Sequence, residues 1–83
     1  MAQPELDPEA VRRGATIRAL RQANGLSITD LAAATGVSRP YLSNVERGAK
    51  KATPKLCRDI AEVFGVPYAA IAAPGYDRIA SAS

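Results

Sequence analysis

The sequence predicts an all-α fold, a compact bundle of five short helices. Its 83 residues are enough for one small domain. Capping residues and glycines divide the chain into five segments that carry apolar residues at helical spacing, and no useful length of sequence shows a strand pattern. We therefore predict an N-terminal arm over residues 1–8, a helical domain over 9–73 and a C-terminal tail over 74–83.

The first two helices follow from their caps and stops. Helix one is predicted from about Glu9 to Asn24, where Gly25 can end it. Ser27 is a suitable N-cap for helix two, and the acid three positions later favours a helix N-terminus. Gly36 ends this helix after about eight residues, which is too short for stability in water. Packing against the rest of the domain must therefore hold it.

The remaining three helices have similar signals. Ser38 caps helix three, which runs to about Arg47. Thr53 caps helix four, which a proline opens and Gly65 closes. Pro67 begins a short fifth helix. The predicted core comprises Ile17, Leu20, Leu26, Leu31, Ala32, Val37, Leu42, Val45, Leu56, Ile60, Phe64, Val66 and Ile71.

The composition argues against several classes of protein. Cys57 is the single cysteine and there is no histidine, so an internal disulfide is excluded and the commonest metal ligand is missing. We expect no metal, no cofactor and no enzymatic activity. No apolar run approaches the roughly 20 residues that span a bilayer, and the N-terminus lacks a secretion signal. We expect a cytoplasmic protein without a membrane partner.

Positive charge is concentrated in one part of the chain. Residues 38–58 hold six Lys or Arg side chains against one Glu, a net charge of +5, whereas the whole chain carries +3. The first nine residues hold three acids and no Lys or Arg. Such a segment indicates either a surface that faces a polyanion or the solvated face of an ordinary basic protein. Charge alone does not decide between them.

Helices two and three together describe a helix-turn-helix motif. Gly36 can adopt the positive φ that a tight turn requires. Ala32 is small enough to let helix three approach, and Val37 can fill the angle between the two helices. A tight turn between two short helices is therefore the central feature of the predicted fold.

The segments "IRALRQANGLSITDLAAATGVSRPYLSNVERG" and "IAEVFGVPYAAI" resemble the lambda-repressor-like helix-turn-helix domain of the Cro/CI or XRE family. The resemblance covers roughly residues 11–72. It implies a sequence-specific double-stranded DNA-binding transcriptional regulator, a repressor that inserts helix 38–47 in the major groove. It also implies a homodimer on a pseudo-palindromic site, associated with the nucleoid when bound. The alternative is an antitoxin or accessory interaction module whose main partner is another protein.

The resemblance also implies which residues contact DNA. Base contacts fall on Arg39, Pro40, Tyr41, Ser43 and Asn44. Phosphate contacts fall on Ser27, Ile28, Thr29, Ser38, Arg47, Lys50 and Lys51. Each has a structural alternative: Pro40 can shape the start of the helix, Tyr41 can pack on its own domain, and the charged residues can be plain surface.

Two further positions bear on this resemblance. Many family members have glutamine where this chain has Ile28, and isoleucine cannot donate a hydrogen bond to a phosphate. Arg21 and Glu46 match a family salt bridge between the first and third helices. We expect this pair to orient the recognition helix from behind, so that Glu46 has a structural role.

Overall fold

A computed structural model describes residues 7–72, which form five α-helices and no strand. The helices are α1 (Pro8–Ala23), α2 (Ile28–Thr35), α3 (Arg39–Arg47), α4 (Pro54–Phe64) and α5 (Tyr68–Ala72). The predicted all-α five-helix fold is thus confirmed. Residues 1–6 of the predicted arm and the predicted tail over 74–83 lie outside the described residues. Across residues 7–72, no helix has the length and apolar character needed to cross a membrane.

Each of the first four helices begins at a side-chain cap. Asp7 accepts a hydrogen bond from the backbone of Glu9 at 3.1 Å, so α1 begins at Pro8, one residue before the predicted start. Ser27, Ser38 and Thr53 each accept from the backbone N–H three residues later, at 3.0, 3.2 and 3.1 Å. These bonds satisfy N–H groups that have no partner within the helix.

The core is formed by all five helices: α3 packs against α1 and α2, α4 packs against α2 and α5, and α5 also packs against α1. Most of the predicted core is buried, and Leu20, Val37, Phe64 and Val66 pack against it while partly exposed. Leu26 is half-buried. The prediction missed four buried small residues, namely Ala10, Ala52, Cys57 and Ala61.

Gly14 brings α1 into direct contact with the backbone of α3. A Cβ atom at this position would lie 2.2 Å from the carbonyl oxygen of Val45 and 2.7 Å from that of Glu46. Both distances are far below van der Waals contact, so only glycine fits here without movement. The position of α3 therefore depends on a missing side chain in α1.

Candidate nucleic-acid interface

The turn between α2 and α3 contains three residues, 36–38. Gly36 has φ of 72°, in the left-handed region that glycine adopts without strain. The backbone N–H of Val37 donates to the carbonyl of Ala32 at 3.1 Å, which closes the end of α2. Ser38 then caps α3 at once. This local bonding sets the angle at which α3 leaves the turn.

One face of α3 is buried and the opposite face is open. Leu42 and Val45 are 0% and 1% exposed. Arg39 and Pro40 are exposed in the first turn, where proline has no hydrogen bond to lose. Asn44 is half-buried further along the helix. Although proline disfavours helical geometry in the preceding residue, Arg39 is the first helical residue of α3.

A buried ion pair fixes α3 to α1. The Nε and Nη2 atoms of Arg21 donate to the two carboxylate oxygens of Glu46 at 2.7 and 3.0 Å. Nη1 of Arg21 donates to the carbonyl of Leu26 at 3.0 Å. The Glu46 carboxylate raises the pKa of Arg21, whose guanidinium is charged at working pH even without this partner. Only 14% and 5% of the two side chains are exposed, so the pair is shielded from solvent.

Tyr41 and Asn44 make contacts within the domain. The hydroxyl of Tyr41 donates to the carbonyl of Lys51 at 3.2 Å, and its ring packs against the core. The side-chain oxygen of Asn44 accepts a hydrogen bond from Arg47. The backbone carbonyl of Asn44 accepts from Ala49 at 2.9 Å. Tyr41 and Asn44 thus position the loop that follows α3.

That loop presents two exposed lysines. Lys50 and Lys51 are both exposed, and Nζ of Lys51 lies 3.3 Å from a carboxylate oxygen of Asp7. The backbone hydrogen bond from Glu9 and the contact with Lys51 together hold the pKa of Asp7 below its usual value. Because both side chains of the Asp7–Lys51 pair are solvated, the lysine remains available to a stronger anion.

Two neighbouring clefts open beside α3, one between α3 and the start of α2 and the other bordered by α1 as well. The apolar cleft, of about 200 Å³, is lined by Ile28, Arg39, Pro40 and Ser43. The cationic cleft, of about 410 Å³, is lined by Arg18, Arg21, Ser27, Ile28, Ser43, Glu46 and Arg47. The two clefts share Ile28 and Ser43.

Arg18 is the functional candidate that the sequence reasoning missed. It is exposed on α1 and lines the cationic cleft with Arg47. Its position three residues before Arg21 was the available signal, since residues three apart share a helix face. Because Glu46 already occupies Arg21, the guanidinium groups of Arg18 and Arg47 are the ones left to meet an anion there.

The N-terminus of α2 is already partly satisfied from within the chain. Ser27 and Asp30 form a reciprocal capping box, with bonds of 3.0 and 3.2 Å. The Asp30 carboxylate also supplies the negative charge that the helix end favours. Ile28 is partly buried and Thr29 is exposed, so their free backbone N–H groups are what this end can offer an anion.

The described residues form no metal site beside these features. Within residues 7–72, no three His, Cys, Asp or Glu side chains come together as a metal ion would require. An open helix face, a three-residue turn and a cationic cleft define instead a helix-turn-helix domain with a surface suited to nucleic acid.

The comparisons with known proteins agree with this class. A family model described as helix-turn-helix, HTH_3, matches residues 17–71. The chain belongs to this Cro/CI-like XRE family, whose members are DNA-binding transcriptional regulators and not enzymes. The predicted family is therefore confirmed.

Relatives of known sequence share only part of their length with this chain. An uncharacterised HTH-type transcriptional regulator of Mycobacterium tuberculosis is 48% identical over 54 residues, which is 65% of this chain and 21% of that protein. The regulator DdrOP3 of Deinococcus deserti is 38% identical over 50 residues, 60% of this chain and 39% of that protein. The chain thus spans about a fifth of the mycobacterial relative.

Solved structures match over a larger share. The clp gene regulator ClgR from Corynebacterium glutamicum has a TM-score of 0.75 at 29% identity, covering 94% of this chain and 85% of that one. A restriction-modification controller protein from Aeromonas hydrophila has a TM-score of 0.74 at 29% identity, covering 78% and 98%. Both resemble this chain in fold over 85% or more of their own length.

Proposed function

We propose that this protein is a sequence-specific repressor that binds double-stranded DNA as a dimer, with α3 in the major groove. The open face of α3 beside the cationic cleft carries the proposal. The major groove is about 12 Å wide and admits one helix, whose N-terminal residues reach the base edges. The Arg21–Glu46 pair and the Gly14 contact hold α3 rigidly from behind, which supports its use as a reading element.

The bases are read by the first two turns of α3. Arg39 is exposed at its start, where its guanidinium can pair with O6 and N7 of guanine. Asn44 can pair with adenine, with Arg47 bonded to its side-chain oxygen and restricting its orientation. Ser43 and Pro40 supply smaller contacts, and Tyr41 contributes mainly by positioning the loop after α3.

The phosphates are held around this face. Arg18 and Arg47 meet one phosphate in the cationic cleft, near the free backbone N–H groups of Ile28 and Thr29. Lys50 and Lys51 meet another, and Ser38 stands at the N-terminus of α3, where an anion is also favoured. Such contacts release counterions, so we expect affinity to fall steeply with salt.

Dimerisation places two α3 helices on successive turns of the groove, about 34 Å apart. We place the dimer surface at α5 and α4, where Tyr68 is 43% exposed and Val63 is 39% exposed. Proteins of this family often form dimers, which supports the assignment. A dimer seated on a promoter represses by excluding the polymerase.

The test is selection from random duplex DNA followed by sequencing, at two salt concentrations. Wild type is compared with Asn44→Ala and with the matched control Asn24→Ala, which removes an exposed amide at the end of α1. We expect wild type and the control to enrich one pseudo-palindrome, and Asn44→Ala to enrich a changed or weaker one. Analytical ultracentrifugation of the bound complex gives the stoichiometry.

Other outcomes separate the alternatives. Salt-sensitive binding without an enriched sequence would indicate a nonspecific or accessory role. If wild type binds no duplex at either salt concentration, the regulator proposal is wrong, and an interaction module with a protein partner becomes the better reading.

A further inference from the structure

Ile28 places an apolar side chain at the edge of a surface otherwise suited to anions. It is the first residue of α2 and packs partly against the core. Its remaining surface lines the apolar cleft together with Pro40, which is exposed. Neither side chain can donate or accept a hydrogen bond. This part of the surface is therefore unsuited to a phosphate oxygen, and its ligand must offer apolar atoms.

Charges next to the apolar cleft indicate how DNA lies across it. Arg39 lines the same cleft, while Arg18 and Arg47 line the cationic cleft that shares Ile28 and Ser43 with it. With a phosphate held by Arg18 and Arg47, the shared wall of Ile28 and Ser43 separates the backbone from the base edges. The apolar cleft then faces the floor of the major groove.

We propose that Ile28 and Pro40 form a contact for the 5-methyl group of a pyrimidine in that groove. This inference rests on the proposed binding of α3 in the major groove. The 5-methyl group of thymine is the apolar feature that base pairs present there. A cleft of about 200 Å³ has room for it beside the ring edge. Thymine supplies the group in ordinary DNA, and 5-methylcytosine supplies the same group in modified DNA.

The experiment uses the duplex that wild type selects, with each thymine replaced in turn by deoxyuridine. Removing one buried methyl weakens binding by about fourfold, from the transfer free energy of one CH₂-sized group. We expect one thymine in each half-site to show this loss by fluorescence anisotropy. In Ile28→Ala and Pro40→Ala, the ratio of the affinities for the thymine and deoxyuridine duplexes at that position should approach one. In the control Thr29→Ala, whose side chain does not line the apolar cleft, the loss should persist at lower overall affinity.

A second arm distinguishes the source of the methyl group. Two duplexes are compared, one with cytosine and one with 5-methylcytosine at the sensitive position. If affinity recovers with 5-methylcytosine but not with cytosine, the methyl group itself is read. If every deoxyuridine duplex binds wild type as well as the thymine duplex does, the inference is wrong while the proposed function stands. A loss that is unchanged in both Ile28→Ala and Pro40→Ala would also overturn it. If wild type selects no duplex, the proposed function fails first.

Discussion

Gly14→Ala should destabilise the protein, although alanine is the better helix former. In an open helix interior this substitution stabilises by up to about 1 kcal/mol. Here the new Cβ would lie 2.2 Å from the carbonyl oxygen of Val45 and 2.7 Å from that of Glu46. These are backbone atoms of α3, so no side-chain rotation relieves the overlap, and α3 must move by roughly 1 Å to reach van der Waals contact.

The size of the effect follows from these opposing terms. Overpacking of this kind costs about 1–3 kcal/mol, so after a helix gain of up to about 1 kcal/mol the net loss of unfolding free energy is up to about 2 kcal/mol. For a domain of this size that lowers Tm by up to roughly 15 °C. Because α3 is the displaced element, DNA affinity at 20 °C should fall as well, in protein that is still folded.

Urea denaturation and anisotropy with the selected duplex measure both effects. The control is Ala15→Gly, on the exposed neighbouring position, which removes helix propensity without approaching α3. It should lower stability by about 1 kcal/mol and leave the affinity of the folded protein unchanged. If Gly14→Ala unfolds at or above the wild-type urea midpoint with unchanged affinity, the close contact between α1 and α3 is refuted.

Three further predictions follow from other contacts. Glu46→Gln leaves the Arg21 charge shielded and unpaired, so the unfolding free energy measured in urea should fall by about 3 kcal/mol. The control Glu9→Gln, in an exposed pair, should change the unfolding free energy by under about 1 kcal/mol. Equal losses in the two variants would contradict the buried pair. The pKa of Asp7 is lower in the folded than in the unfolded protein, so its ionised carboxylate stabilises the fold at pH values above the unfolded-state pKa. This stabilisation is lost as the pH falls through the folded-state pKa. Asp7→Asn keeps the cap, so its urea midpoint should vary less than that of wild type across the acid range. Cys57 is 1% exposed and burial raises its pKa, so it should react with a thiol reagent only as the protein unfolds; rapid reaction in native buffer would show local opening of α4.

The helices could be predicted from the sequence because the capping residues that begin and end them act on nearby backbone atoms. Ser27, Ser38 and Thr53 bond to backbone atoms three residues away, and the N–H of Val37, directly after Gly36, closes α2 by a bond over five residues. Such interactions depend on a few neighbouring residues, whatever the rest of the chain does. For that reason the predicted starts of α2, α3 and α4 agree with the structure to within about one residue.

Some features of the predicted DNA-contact residues depend only on neighbouring residues, and others depend on residues further along the chain. The exposure of Arg39 and the burial of Leu42 follow from helical spacing on α3 alone. The engagement of Tyr41 with the carbonyl of Lys51 depends on the path of the loop. Spacing alone left Tyr41 open to either DNA or its own domain, and only the folded loop supplies the hydrogen-bond partner.

Residue types, caps and periodicity in the sequence determined the five helices, the helix-turn-helix and most of the core. Only the tertiary structure decided how closely α1 packs against α3, because the Gly14 contact joins residues more than thirty positions apart. The same holds for the two clefts, one lined by both Arg18 and Arg47 and the other by both Ile28 and Pro40. A cleft is the space between elements, and its shape is fixed only when non-local packing sets the distance between their backbones.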